Sequence, residues 1–190
     1  EDSKLRLRIE EVNLKTYLGE LLNNVRPLAE RKNIKLEILS DTEEPMIWGD
    51  RHRLEQIFIN FLSNAVKFTG EQGEIRVQVR DLGKTFRVEV HDTGSGIPKE
   101  QLNRIFDQKH GGTGIGLALA KELTQLHGGR IWAQSVLGEG TTIHTEFKKG
   151  KEHFSNEVLE RRTKERVVEQ ERRTEGSALP EWWEQLASQN

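Results

Sequence analysis

The sequence contains no cysteine, which excludes disulfides, thiol nucleophiles and zinc sites built on cysteine. No apolar run approaches the ~18 residues that a membrane-spanning helix needs, and the charged first residues do not form a secretory leader. Neither sign of charge dominates: 29 Lys and Arg stand against 31 Asp and Glu, for a net charge of -2. That balance gives no bulk attraction for nucleic acid or an anionic membrane, so neither is expected as a partner. Apolar residues are also scarce, at 34% against 32% charged, which implies that part of the chain stays outside the core. The expectation is a cytoplasmic protein with one domain of ordinary size plus extensions. The abrupt charged start at Glu1 reads as a cut from something longer, and a membrane anchor elsewhere in the intact protein is compatible with it.

What is present follows clear periods. Leu5, Leu7 and Ile9 alternate in a charged opening that reads as a helix end or a short strand. From Asn13, an N-cap residue, apolar side chains fall at Leu14, Leu18, Leu21, Leu22, Val25 and Leu28. Pro27 is expected to kink or shorten this helix. Ile34–Ile38 and Met46–Trp48 read as strands. Asp50 can cap a second helix, whose apolar face is Leu54, Ile57, Phe58, Phe61, Leu62 and Ala65. Two alternating runs follow, Glu74–Val79 and Thr85–Val90, joined at hairpin length. A short helix is expected at about 99–106 and a longer one over Leu117–His127, stopped by Gly128 and Gly129. Arg130–Val136 and Thr141–Phe147 read as two closing strands. This order predicts an α+β fold, a two-layer sandwich whose mixed, mostly antiparallel sheet carries its helices on one face. The domain is placed at residues 13–149. Residues 1–12 read as the end of a preceding hairpin or linker, and 150–190 as a charged tail with a small patch at Trp182 and Trp183.

Three stretches carry chemistry. On the second helix Asn60, Asn64 and Lys67 stand at i, i+4 and i+7, so two amides and an ammonium share one polar strip beside the apolar face. Such a strip offers ligands for a metal ion and a phosphate chain, and is equally compatible with a solvated helix stripe. Asp92 ends a strand and opens the loop Asp92-Thr-Gly-Ser-Gly-Ile-Pro98, in which Gly94 and Gly96 allow a sharp turn and close approach to a flat ligand. A carboxylate held there can accept a hydrogen bond from an amine, although taken alone the loop is a tight turn. The third stretch, Gly111-Gly-Thr-Gly-Ile-Gly116, runs straight into a helix, whose free N-terminal N–H groups suit a phosphate. Its spacing differs from the dinucleotide fingerprint, and it lacks the Lys-Ser/Thr ending of a P-loop.

The order of these motifs is more specific than any one of them. Asn-x-x-x-Asn-x-x-Lys-Phe, Asp-x-Gly-x-Gly-Ile-Pro, Arg104-Ile-Phe-Asp107 and Gly-Thr-Gly-Ile-Gly-Leu occur in that sequence over about residues 10–148. The pattern resembles the ATP-binding catalytic domain of sensor histidine kinases, with its N box, two glycine boxes and phenylalanine box, on a Bergerat-type fold. The resemblance implies Mg2+ and ATP as cofactors, with Asn64 as the magnesium ligand. Asn60 and Lys67 would contact phosphates, and Phe68 would lie near the nucleotide. Asp92 would take the adenine amine in a pocket shaped by Gly94, Gly96 and Ile97. Gly112, Thr113, Gly114, Gly116 and Leu117 would hold phosphates at the helix start. It also implies two partners, a histidine-bearing dimerisation domain and a response regulator, with a homodimer as the intact form.

DNA gyrase and heat-shock chaperone ATPases share this fold, and in them the position of Asn60 resembles a glutamate that activates water. An amide cannot act as a general base at neutral pH, which favours phosphoryl transfer over hydrolysis. Two departures from the kinase pattern stand out. None of His52, His91, His110, His127, His144 or His153 has the His-Glu/Asp-x-x-x-Pro context of the family's phosphoacceptor, so surface or structural roles are expected for all six. The segment between Phe106 and Gly112 is short and holds Lys109 as its one Lys or Arg, where the resemblance implies a longer basic lid. That shortness keeps a non-catalytic nucleotide-binding module open as an alternative, beside an ATPase of the same fold.

Overall fold

A computed structural model describes residues 7–107 and 114–154. Among these residues the order is β1 (Glu10–Asn13), α1 (Leu14–Arg31), β2 (Lys35–Ser40), β3 (Met46–Gly49), α2 (Arg51–Phe68), β4 (Glu74–Asp81), β5 (Thr85–Asp92), α3 (Lys99–Leu102), α4 (Gly114–Leu126), β6 (Arg130–Val136) and β7 (Gly140–Lys148). The main sheet has the order β2-β4-β5-β7-β6, with β2 and β4 parallel and every other pair antiparallel. The expected α+β class and the mixed, mostly antiparallel sheet are therefore present.

Period-two alternation puts the core on one face of this sheet. Ile75, Val77 and Val79 of β4, Phe86, Val88 and Val90 of β5, and Ile143 and Phe147 of β7 are buried together with the apolar faces of α1 and α2. α2 lies against β5 in the middle of the sheet, with α1 beside it over β2 and α4 over β6. Phe58 and Phe61 are almost fully buried and meet edge to face at 6.2 Å, and Phe58 meets Phe147 at 6.1 Å. Fixing these rings fixes the rotation of α2, and hence where its polar strip points. The other face of the sheet is laddered with charge. Arg76 pairs with Glu37 and Glu74, Arg80 with Glu89, and Arg87 and Arg130 both with Glu146.

The local signals at the helix ends hold. Asn13 caps α1 by accepting from Thr16 N–H at 3.2 Å, and Asp50 caps α2 by accepting from Arg53 N–H at 3.1 Å. Gly128, at φ +68, ends α4: its N–H donates to Gln125 O and that of Gly129 to Thr124 O, the double bond of a glycine C-cap.

Two local expectations are corrected. Pro27 does not shorten α1, which continues to Arg31; buried Ala29 and half-buried Leu28 hold the last turn on the core despite one missing donor. The short helix expected at 99–106 ends at Leu102 and gives way to turns, with Arg104 N–H bonded to Gln101 O and Asp107 N–H to Arg104 O. The strand expected at Met46–Trp48 is present and runs to Gly49; it pairs antiparallel with Glu10–Asn13, outside the main sheet. Just before β1, Leu7 and Ile9 pack with Phe154 and Trp48 in a small second cluster, so described residues on both sides of the expected 13–149 limits rest on the domain. Residues 155–190, with Trp182 and Trp183, lie outside the described residues.

Candidate functional site

α2 presents the polar strip. Asn60 and Asn64 are half-buried on consecutive turns, and Lys67 is exposed in the last turn. Asn60 Nδ2 donates to Gln56 O at 2.6 Å, which holds the amide along its own helix. Its Oδ1 lies against the first turn of α4: a Cβ placed on Gly116 would stand 2.1 Å from it. The strip and the start of α4 therefore meet at this one contact, which only a residue without a side chain allows. Gly114, Gly116 and Leu117 all lie in that first turn, where backbone N–H groups have no intrahelical acceptor. Gly112, Thr113 and the lid cation Lys109 lie outside the described residues.

Asp92 is the last residue of β5, paired with Ile75 on one side and Thr141 on the other. It is only 8% exposed. Burial pushes its carboxyl above the ordinary aspartate range, and backbone hydrogen bonds from Gly94 and Thr141 together with nearby His91 offset part of that rise. The Gly94 N–H donates to Asp92 Oδ1 at 2.8 Å.

Both loop glycines face other parts of the protein at close range. A Cβ at Gly94 would stand 2.6 Å from both Asp92 Oδ1 and Phe68 O, and one at Gly96, which has φ +67, would stand 2.1 Å from Val136 O. The loop is thus pressed between the end of α2 and the β6–β7 hairpin. Ser95 N–H donates to Phe68 O at 3.2 Å, and Gly138 N–H donates to Ser95 O at 2.7 Å. Ile97 N–H donates to Ser135 Oγ at 2.8 Å, while Ser135 Oγ also bonds Gly140 O and Thr141 Oγ1 at 2.8 Å each. Ser135 had no motif to mark it in the sequence, where it stands only as a residue of the strand expected at Arg130–Val136.

Phe68 is 47% exposed where α2 meets this loop, with Lys67 Nζ 5.6 Å from its ring centre. A buried carboxylate, an exposed aromatic ring, an ammonium, two amides and a helix N-terminus thus lie along the C-terminal half of α2. Such a set can recognise an amine-bearing flat ring joined to an anionic chain.

Two of the described histidines have structural partners away from this set. His127 is buried at the end of α4, with Nδ1 donating to Leu123 O at 2.7 Å and Nε2 accepting from Asp50 N–H at 3.1 Å, which assigns a neutral ring. Burial is the main cause that lowers its pKa. His144 stacks on Trp132 at 5.0 Å on the charged face of the sheet. His110 lies outside the described residues.

Comparison with known proteins places this geometry. Residues 49–151, more than half of the chain, match the family described as "Histidine kinase-, DNA gyrase B-, and HSP90-like ATPase", and the chain belongs to that family. Within it, histidine kinases are among the solved structures that match. The catalytic domain of histidine kinase ThkA superposes with a TM-score of 0.70 at 30% identity, covering 74% of this chain and 95% of that one. Full-length ShkA in complex with AMPPNP gives 0.70 at 30% identity, covering 77% of this chain and 32% of that one. Among curated relatives, the circadian input-output histidine kinase CikA of Synechococcus elongatus is 36% identical over 155 residues, covering 75% of this chain. The chain spans 21% of the length of that relative.

Proposed function

We propose that the chain is the ATP-binding catalytic domain of a two-component sensor histidine kinase. It holds Mg-ATP and donates the γ-phosphoryl group to a histidine on a separate dimerisation domain of the same homodimeric protein, from which a response regulator is served. One observation carries the reading. The Asn60–Gly116 contact joins the strip of α2 to the N-terminus of α4, while Phe68 at the end of the same helix joins the Asp92 loop. The C-terminal half of one rigid helix thus touches both an amine-recognising loop and a phosphate-binding helix start.

In this reading Asp92 accepts from the adenine amine, with Gly94, Gly96 and Ile97 forming that wall, and Phe68 lies near the nucleotide. Asn60, Lys67 and the first turn of α4 hold phosphates, and Asn64 is the magnesium ligand. Among the described residues no group of three His, Cys, Asp or Glu side chains could hold a metal alone. A hard divalent ion at Asn64 would share its shell with phosphate oxygens and water, the usual arrangement for magnesium. When bound, magnesium supplies neutralisation of the charge on the transferred group. The residues of this chain orient the phosphate chain and offer preorganised donors to it. Asn60 donates its amide to Gln56 O and has no proton-accepting basicity at neutral pH, so the site positions ATP for attack by an outside nucleophile rather than activating water.

Titration calorimetry with a non-hydrolysable ATP analogue tests the reading. Wild-type chain binds it in a magnesium-dependent manner, and Asp92→Asn and Asn64→Asp lose that binding; undiminished binding in both variants overturns the assignment. The isolated chain is not labelled by radioactive ATP, whereas an added histidine-bearing hairpin from the full-length protein is. Steady phosphate release without transfer would establish an ATPase in its place.

A further inference from the structure

The carboxyl end of α2 is held by a side chain from another helix. A helix leaves its last four carbonyls without an intrahelical donor, and in α2 these belong to Ala65, Val66, Lys67 and Phe68. Ala65 O accepts from Thr69 N–H at 3.0 Å, and Phe68 O from Ser95 N–H at 3.2 Å. The two between share one donor: the Lys32 ammonium lies 2.8 Å from Val66 O and 3.2 Å from Lys67 O, and also 3.3 Å from Thr69 O. Three donors of one ammonium thus meet three carbonyls.

The grip is two-sided. Lys32 is the C-cap residue of α1, with its own N–H bonded to Ala29 O and Glu30 O. Its carbonyl accepts from Gln72 N–H at 2.9 Å, in the turn that follows α2. That turn leads into β4, whose first residue, Glu74, donates its N–H to Thr93 Oγ1 at 2.9 Å, directly after Asp92. A cation at the negative end of the α2 dipole also complements its charge. Lys32 is half-buried and comes from the end of α1, which packs on α2 and β2, whereas Asn60 of the strip faces α4.

We infer that Lys32 is a positioning residue for the nucleotide site, which rests on the ATP-binding reading above. By fixing where α2 ends, it fixes Lys67 on the phosphate side and the Phe68 carbonyl that anchors the Asp92 loop at Ser95. Loss of the ammonium frees Val66 O and Lys67 O, lets the last turn fray and costs the site its phosphate-side ammonium more than its adenine wall.

The test compares wild type, Lys32→Met, Lys32→Arg and Val25→Ala, a destabilised core variant of the same helix, using the full chain well below every unfolding midpoint. Calorimetry measures an ATP analogue with magnesium and, separately, adenosine. Lys32→Met weakens the ATP analogue by about tenfold, the size of one charged contact, and adenosine by a markedly smaller factor. Lys32→Arg, which keeps a cation able to reach the same carbonyls, restores most of the affinity. Val25→Ala lowers the midpoint without changing either affinity. Amide resonances of Lys67, Phe68 and Ser95 shift in Lys32→Met and not in Val25→Ala. If Lys32→Met fails to fold, Lys32→Gln takes its place in the same comparison. Wild-type binding with Lys32→Met affinities equal to those of Val25→Ala overturns the inference alone, whereas absence of ATP-analogue binding by wild type overturns the nucleotide reading and the inference with it.

Discussion

Replacing Gly116 by alanine separates folding from ligand binding at the contact between α2 and α4. The added Cβ would stand 2.1 Å from Asn60 Oδ1, too close for any real contact, but the obstructing atom is the end of a side chain and can move. Moving it breaks the 2.6 Å bond from Asn60 Nδ2 to Gln56 O, at a net cost of about 1 kcal/mol, with up to about 1 kcal/mol more if the new rotamer is strained. Against this, alanine within a helix is favoured over glycine by about 0.5–1 kcal/mol. The stability terms nearly cancel, so the thermal midpoint moves by no more than about 4 °C. The ligand does not share in that cancellation. In the proposed site, displacing Asn60 removes a hydrogen bond to a phosphate, about 1.5–3 kcal/mol, which is about a tenfold to hundredfold loss of ATP-analogue affinity. Calorimetry beside thermal unfolding reads both quantities on one sample. A double variant with Asn60→Ala completes a cycle: once the side chain is gone there is nothing to displace, so Gly116→Ala adds little to the loss caused by Asn60→Ala. Wild-type affinity in Gly116→Ala, or fully additive losses in the double variant, would refute the reasoning.

Two further outcomes follow from the geometry. Burial holds the His127 pKa below its ordinary 6.5, so between the two values the unfolded chain binds more protons than the folded one. Stability is therefore lost as pH falls below about 6.5, at up to about 1.4 kcal/mol per pH unit for this group. His144 and His153 are shifted the same way and add to the slope. Thermal melts between pH 7.5 and 5.5 record the fall, which is shallower in His127→Gln; equal slopes would contradict the assignment. Gly96→Ala forces a side chain into φ +67 and to within 2.1 Å of the Val136 carbonyl, a backbone atom that cannot swing aside. Left-handed strain alone costs about 1–2 kcal/mol, so urea unfolding is expected to register a loss of at least about 2 kcal/mol, and a loss below about 0.5 kcal/mol would show the loop to be loosely held.

Much of the architecture is written locally in the sequence. The three-and-four spacing from Leu54 to Ala65 makes α2, and strict alternation makes β4 and β5, because each period places apolar side chains on one face whatever the rest of the chain does. Asn13, Asp50 and Gly128 mark helix ends because their partners lie within five residues. The motif order, read the same way, was enough to indicate the family. Where a local signal misled, longer-range packing had outweighed it: Pro27 lies inside a helix held by the core. Only the tertiary structure decided what the glycines face. Gly116 opens to Asn60, 56 positions away, Gly94 to the end of α2 and Gly96 to the end of β6. The same holds for Ser135 under Ile97 and for Lys32 across Val66 and Lys67. Such contacts join residues 26 or more positions apart, and their closeness comes from the way a sheet with one covered face stacks α1, α2 and α4 side by side. No period or spacing along the chain carries that information, because it arises only when separately specified elements share one core.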